Sequence, residues 1–177
     1  MSLTYLYHVA NLGDTVLISG TVGAASEAAL EGVPSIAFSG SSGSQASYTV
    51  LTTDPTSSTS KTAHIYTDLV MKFVNTYLKS SAPAIPKGVS VNVNFASTSS
   101  CTSADAYKFV FTRVFAAAST DVDVSPCGKA QLTAEGTAIK SGCIVTVSAF
   151  NATTKRDVDA ATQQYVLDKV SPILTCL

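Results

Sequence analysis

A turn of small and hydroxyl residues, Ser19-Gly20-Thr21-Val22-Gly23, stands directly before an alanine-rich segment running to Leu30. Small residues at the start of a helix leave backbone N–H groups open, and the helix dipole favours an anion there. Two hydroxyls add donors, so the chemistry this turn suits is phosphate binding. No Lys follows in the P-loop position, and the turn also reads as a tight helix start packed on a sheet. A second run, Ser39-Gly40-Ser41-Ser42-Gly43-Ser44, follows a short apolar stretch. Loops placed after parallel strands line the ligand-binding edge of α/β sheets, and such a run equally reads as a surface linker. Two carboxylate pairs stand out. Asp121 and Asp123 could hold a cation or lie in a solvated loop. Asp157 and Asp159 precede a helical pattern and read as capping residues. His8 and His64 are the two bases open to a Ser-His-Asp arrangement, and Gly40-Ser41-Ser42-Gly43 lacks the spacing of a nucleophile elbow.

These residues need elements to hold them. Thr4 to Val9 reads as a short strand, and Asn11-Leu12-Gly13-Asp14 as a turn. The Ala-rich segment reads as a helix stopped by Gly32 with Pro34 just beyond. Pro34 to Ser39 is an apolar run bounded by breakers, the pattern of a buried parallel strand. From Lys61 to Lys79, apolar residues at 65, 69, 70, 73, 74, 77 and 78 keep helical spacing, and Pro83 and Pro86 follow. Val89, Val91, Val93 and Phe95 alternate with Ser90, Asn92 and Asn94, the period of a strand. Lys108–Phe115 and Ile144–Phe150 are further strands, and a last helix, capped by Asp157 or Asp159, runs up to Pro172. Helices and strands alternate up to Phe95, which predicts an α/β fold with a β-rich C-terminal extension.

The chain has 177 residues, a formal net charge of −1, and 13% charged residues. Average chains carry about a quarter charged residues, whereas here about a quarter are Ser or Thr. Near-zero charge excludes a general electrostatic grip on nucleic acid or on acidic membranes. No apolar run approaches the roughly 20 residues of a membrane span. The composition resembles that of secreted or cell-wall proteins, yet Met1 to Val9 has no Lys or Arg and is too short for a signal peptide. Cys101, Cys127, Cys143 and Cys176 have no zinc-type spacing. They admit two disulfides in any of three pairings, or buried thiols. Asn151-Ala152-Thr153 is an N-glycosylation triplet.

The ordered blocks Asn11 to Ala28 and Gly32-Val33-Pro34-Ser35-Ile36-Ala37-Phe38-Ser39 resemble the SurE survival-protein family. That family comprises metal-dependent phosphatases acting on nucleotides and other phosphomonoesters. Its signature has a Ser-Gly-x-Asn segment, an Asn-x-Gly, a Ser-Gly-Thr-Val, and a Gly-[Ile/Val]-Pro-[Ser/Ala]-Ile-Ala strand. Phe38 to Ser44, Val91 to Phe95 and the ending Leu174-Thr175-Cys176-Leu177 resemble its fungal acid-phosphatase-like branch. The resemblance implies a Rossmann-like three-layer α/β/α core over a single domain, 1–177. Residues 1–80 would carry the core with the Ser-Gly-Thr loop, and residues 81–177 the later strands and helix.

It also implies phosphate binding at Ser19, Gly20 and Thr21, with Asn11 close by. The family's divalent metal, Mg or Mn, is held mainly by an Asp-Asp pair near the start of the full domain, completed by a Ser and by the Asn of Ser-Gly-x-Asn. Here that Asn position falls on Tyr7, and no Asp stands before Asp14. A tyrosine is a poor substitute for an amide ligand of a hard cation. The expectation is therefore an N-terminally incomplete copy, phosphatase by descent, without the metal site and without catalysis of its own. Its partner would be a phosphorylated small molecule, with no nucleic-acid polymer and no membrane, and with oligomerisation open to it. The other readings are a non-catalytic phosphate-binding or oligomerising fragment, or an inert secreted structural domain. The parent would be extracellular or in the cell wall.

Overall fold

The computed structural model describes residues 2–6, 10–43 and 45–177, with only the backbone of 2–6. Tyr7 and His8, named above, and the last serine of the Ser39–Ser44 run lie outside the described residues.

Among the described residues, five strands form one sheet in the order β1-β2-β3-β5-β4. β1 (Ser2–Leu6) pairs in parallel with β2 (Ser35–Gly40), and β2 in parallel with β3 (Val89–Phe95). β5 (Ile144–Asn151) lies antiparallel to β3, and β4 (Lys108–Thr112) closes the far side, parallel to β5. The strands after Phe95 thus continue the same sheet, and the stretches 1–80 and 81–177 share it.

Helix α1 (Gly20–Leu30) links β1 to β2, and α3 (Ser58–Lys79) links β2 to β3. Short α2 (Val50–Thr53) and α4 (Glu135–Ala138) lie in the connections, and α5 (Ala160–Val170) follows β5. The pleat sends alternate side chains of a strand to opposite faces. Ile36 and Phe38 of β2, with Val91, Val93 and Phe95 of β3, meet Tyr66, Leu69 and Phe73 of α3 and Val166 and Val170 of α5. Ala37 and Phe150 point the other way, to Val16, Val22 and Ala25 of the α1 side. Helices cover both faces, so the architecture is a three-layer α/β/α arrangement around a mixed sheet.

Local sequence explains the element ends. Gly32 takes φ +84 just after α1, a conformation that L side chains resist. Ser57 caps α3 by accepting from the Ser60 N–H at 3.2 Å, and Asp159 caps α5 by accepting from the Thr162 N–H at 2.8 Å. The helical stripe of α3 buries Ile65, Leu69, Phe73, Val74 and Tyr77, while Leu78 turns 64% of its surface to water. Phe73 meets Phe38 edge-on at 5.6 Å between centroids, and Tyr66 stacks on Phe95 at 5.2 Å.

The polar members of β3 are buried as fully as the apolar ones. Ser90, Asn92 and Asn94 have no exposed surface. Beside Ala37 and Phe150, their face of the sheet is rich in hydroxyls and amides, with Ser35, Ser39, Thr112, Thr146 and Ser148 also buried. A buried polar face must find its own hydrogen bonds, and the partners come from the turn before α1 and from α4.

Candidate functional site

Ser19 is the N-cap of α1. Its backbone is extended, its Oγ accepts from the Val22 N–H at 3.1 Å, and its carbonyl accepts from the Gly23 N–H at 2.9 Å. Gly20 and Thr21 form the first turn, where amides point out of the helix end. The helix lies close on the sheet because its inward residues are small: Ala25, Ser26 and Ala29 are buried. Ser26 Oγ donates to the Val22 carbonyl at 2.8 Å, and Ser35 Oγ of β2 donates to the Ala25 carbonyl at 2.7 Å. The structure shows the tight helix start on the sheet; the same helix end leaves first-turn amides of the kind that suit an anion.

A cation from the far end of the chain approaches this turn. Lys155 Nζ donates to the Leu17 carbonyl at 3.2 Å, two residues before Ser19. Its backbone takes φ +55, unusual for a residue with a side chain. Beside it the Arg156 guanidinium stacks over the Phe115 ring at 4.4 Å. Sequence reading does not single out Lys155, because nothing local links it to a residue 138 positions earlier.

Asn11 sits in a different set of contacts, at the C-terminal ends of β2 and β3. Its Nδ2 donates to Ser39 Oγ and its backbone N–H to Asn94 Oδ1 at 2.6 Å. Its carbonyl accepts from Asn92 Nδ2 at 2.7 Å and from Asn94 Nδ2 at 3.3 Å. The peptide of Asn11 is gripped on both sides. A 3-10 turn, Gly13–Leu17, runs from this cluster toward α1.

Glu135, the first residue of α4, closes the cluster from outside the sheet and has no exposed surface. Its carboxyl accepts from the Gly13 N–H at 3.2 Å, from Asn92 Nδ2 at 3.1 Å, from Ser148 Oγ at 3.0 Å, and from Asn94 Nδ2 at 3.5 Å. Burial pushes its pKa up to about 8 in spite of these donors. Asn92 Oδ1 and Thr146 Oγ1 are buried on the same face without partners among the described residues. None of Asn92, Asn94 or Glu135 is singled out from sequence as a site residue. The alternation in β3 showed that the asparagines share a face, but not what covers it.

The acidic pairs do other work than a cation site or a solvated loop. Arg113, nearly buried, pairs with Asp121 at 2.6 Å, Asp123 at 3.1 Å and Asp157 at 3.6 Å. Asp123 also accepts from Gln163 Nε2 at 2.7 Å, and Asp157 from the N–H groups of Val114 and Phe115 at 2.6 and 3.0 Å. Three carboxylates therefore tie the loop after β4 to α5 through one guanidinium. Burial pushes the Asp157 carboxyl up, while the Ala118 N–H, with Arg113 beside it, holds that of Asp121 down. Only Asp159 of the second pair is a helix cap. His64 is exposed on α3.

The start of the Ser39–Ser44 run is anchored rather than linker-like. Ser41 N–H donates to the Phe95 carbonyl at 3.0 Å, and Ser42 N–H to the Tyr66 hydroxyl at 3.1 Å. Ser42 Oγ shares a 2.7 Å bond with Ser97 Oγ. A Cβ on Gly40 would lie 2.3 Å from the Tyr66 ring, so only glycine fits.

Among the described residues, no three His, Cys, Asp or Glu side chains gather to hold a metal ion. Around Asn11 the donors are amides, hydroxyls and one carboxyl saturated by hydrogen-bond donors. Divalent Mg or Mn needs ionised or carbonyl oxygens free to bind it. Asn92 Oδ1 is a carbonyl oxygen unbonded among the described residues, but burial favours the protonated Glu135 carboxyl, so these residues alone lack the charged oxygens such an ion needs.

The family model described as Survival protein SurE matches residues 7–121. The crystal structure of the SurE protein from Aquifex aeolicus aligns with a TM-score of 0.44 at 22% identity. That alignment covers 84% of this chain and 59% of the Aquifex chain. No curated protein matches.

Proposed function

Because the chain belongs to the SurE survival-protein family, we propose that it binds the phosphate group of a phosphorylated small molecule at the start of α1. Ser19, Gly20 and Thr21 supply the donors, while Asn11 is taken up by Ser39, Asn92 and Asn94 and is not assigned to the phosphate. The observation that carries this reading is the coincidence of a family block with an anion-facing helix end: Ser-Gly-Thr lies within the matched residues and forms the cap and first turn of α1. Lys155, bonded to the Leu17 carbonyl, adds positive charge near that end.

The parental chemistry is hydrolysis of phosphomonoesters, with the acid-phosphatase-like branch the one whose patterns recur at Phe38–Ser44 and Val91–Phe95. The described residues bind and orient the phosphate and do not activate water through a metal. On this reading the chain is a phosphate-ligand binder without metal-dependent turnover. An extracellular setting agrees with its four paired cysteines.

Calorimetric titration with inorganic phosphate and with a nucleoside monophosphate tests the binding. Ser19→Asp is the informative variant. Aspartate caps a helix as well as serine does, so the fold keeps its stability, while its charge repels phosphate and binding falls at least about tenfold. Absence of binding by the wild-type chain overturns the reading. Hydrolysis of p-nitrophenyl phosphate that rises with Mg or Mn and vanishes in Ser19→Ala overturns the non-catalytic part.

A further inference from the structure

We infer that Asn151 is a site of N-linked glycosylation, its side-chain amide accepting an oligosaccharide as the chain matures in a secretory compartment. Two independent observations carry this, and neither depends on the phosphate site.

The first is the local geometry. Of the five asparagines, Asn151 alone stands in an Asn-x-Thr/Ser triplet. Asn11, Asn92 and Asn94 are buried. Asn151 is the last residue of β5, where the chain leaves the sheet. Its Oδ1 accepts from the N–H groups of Thr153 and Thr154, both at 3.0 Å. This holds the oxygen toward the turn and leaves Nδ2 without a bond to it. Nδ2 has no hydrogen-bond partner among the described residues and is not one of the buried unpartnered atoms, so on this half-buried residue it keeps accessible surface. The next residue, Ala152, is buried and anchored by its N–H to the Gly88 carbonyl at 2.8 Å. Thr153 and Thr154 are exposed. The triplet therefore lies on an anchored surface turn with its acceptor atom accessible and unbonded.

The second observation is the state of the cysteines. All four are paired, Cys101 with Cys143 and Cys127 with Cys176, and none is free. Two disulfides in one small domain belong to oxidising compartments, the same ones in which such triplets are modified. The modification also suits the fold. Asn151 pairs with Val89 at the N-terminal end of β3, and Asn94, in the Asn11 cluster, lies near the other end of that strand. A glycan at Asn151 is directed away from the Asn11 cluster.

The co-reactant is an oligosaccharide carried on a lipid pyrophosphate. The bond from Nδ2 to the sugar C1 forms as the bond from C1 to the pyrophosphate oxygen breaks. The lipid pyrophosphate leaves with that electron pair, and the amide gives up one proton to a base of the transferase.

The test is expression of the full chain behind a cleavable secretory leader in yeast, with intact mass measured on all leader-cleaved chains, secreted or retained. The expected result is a mass increase of one oligosaccharide, removed by an amidase that leaves an aspartate at that position. Thr153→Ala abolishes the increase, and Thr153→Ser keeps it. Both variants retain the Thr153 N–H that holds Asn151 Oδ1, so neither removes the turn. A leader-cleaved wild-type chain with the mass of the bare polypeptide overturns the proposal, whether or not its disulfides have formed. An increase that survives Thr153→Ala overturns it equally.

Discussion

Glu135 shows how one side chain can control a buried face. A carboxyl without exposed surface is costly to ionise, and its pKa rises to about 8 although four groups donate to it. In the unfolded chain the same group titrates near its ordinary value of 4.5. Between these values the folded chain holds a proton that the unfolded chain has lost, so stability falls as pH rises. The contribution of Glu135 is complete below about 4.5 and is lost as pH passes about 8. Thermal denaturation therefore shows a higher Tm at pH 5 than at pH 8.5, by at least a few degrees for a chain of this size. Glu135→Gln flattens that difference, because an amide has no proton to lose there; an unchanged pH profile in the variant refutes the assignment. Asp121 and Asp159, held below their ordinary range by hydrogen bonds, act in the opposite sense. Their contribution is present above the unfolded value and is lost only at more acidic pH.

Among the elements, β2 with its following loop depends most on one contact. The Tyr66 ring lies where a Gly40 side chain would be, and its hydroxyl donates to the Ala96 carbonyl at 3.0 Å while accepting from the Ser42 N–H. Gly40→Ala forces the ring or the strand to shift, and the expected cost is about 1–3 kcal/mol in chemical denaturation. Tyr66→Phe keeps the ring and loses the hydroxyl's bonds. It costs about 1–2 kcal/mol, and its effect is smaller in a Gly40→Ala background because both changes act on one contact. Additive effects would show that the glycine and the ring act separately. Helix α1 was legible from the turn before it, its small residues and Gly32, all within one local stretch. Strand β3 was legible from alternation, but the burial of its polar face was not. Residue 135 lies about 40 positions beyond Asn92 and Asn94, and nothing in their local pattern refers to it.

Across the molecule, the disulfides and Arg113 hold the C-terminal half against the sheet. Cys101–Cys143 and Cys127–Cys176 close separations of 42 and 49 residues. Loops of that length correspond to about 4 kcal/mol each in the chain-entropy account, with measured values usually nearer 2–4 kcal/mol. Replacing Cys127 and Cys176 together by Ser lowers the unfolding free energy by about 2–4 kcal/mol, read from the denaturant midpoint together with a slope that rises as the unfolded chain expands. No loss would mean that the C-terminal segment is held without the bridge. Arg113→Met leaves Asp123 and Asp157 without their cation inside the protein, and costs about 3–5 kcal/mol. Gln163 and the Val114 and Phe115 amides keep part of the network, so the variant also tests how much the guanidinium itself carries.

The order of residues alone determined the longer helices and most strands, though not short α2 and α4, because helical stripes, strand alternation and glycine stops act over a few positions. It also carried the family blocks, since those are contiguous. Tertiary structure decided which cysteines pair, that Asp121, Asp123 and Asp157 surround Arg113 rather than a cation, and that Asn11 is bound by Ser39 and Asn94. It also decided that Glu135 is buried among amides and hydroxyls. Each of these depends on which strands become neighbours. Strand order joins residues tens of positions apart, and burial then sets whether a charge, a proton or a hydrogen bond is the cheaper state.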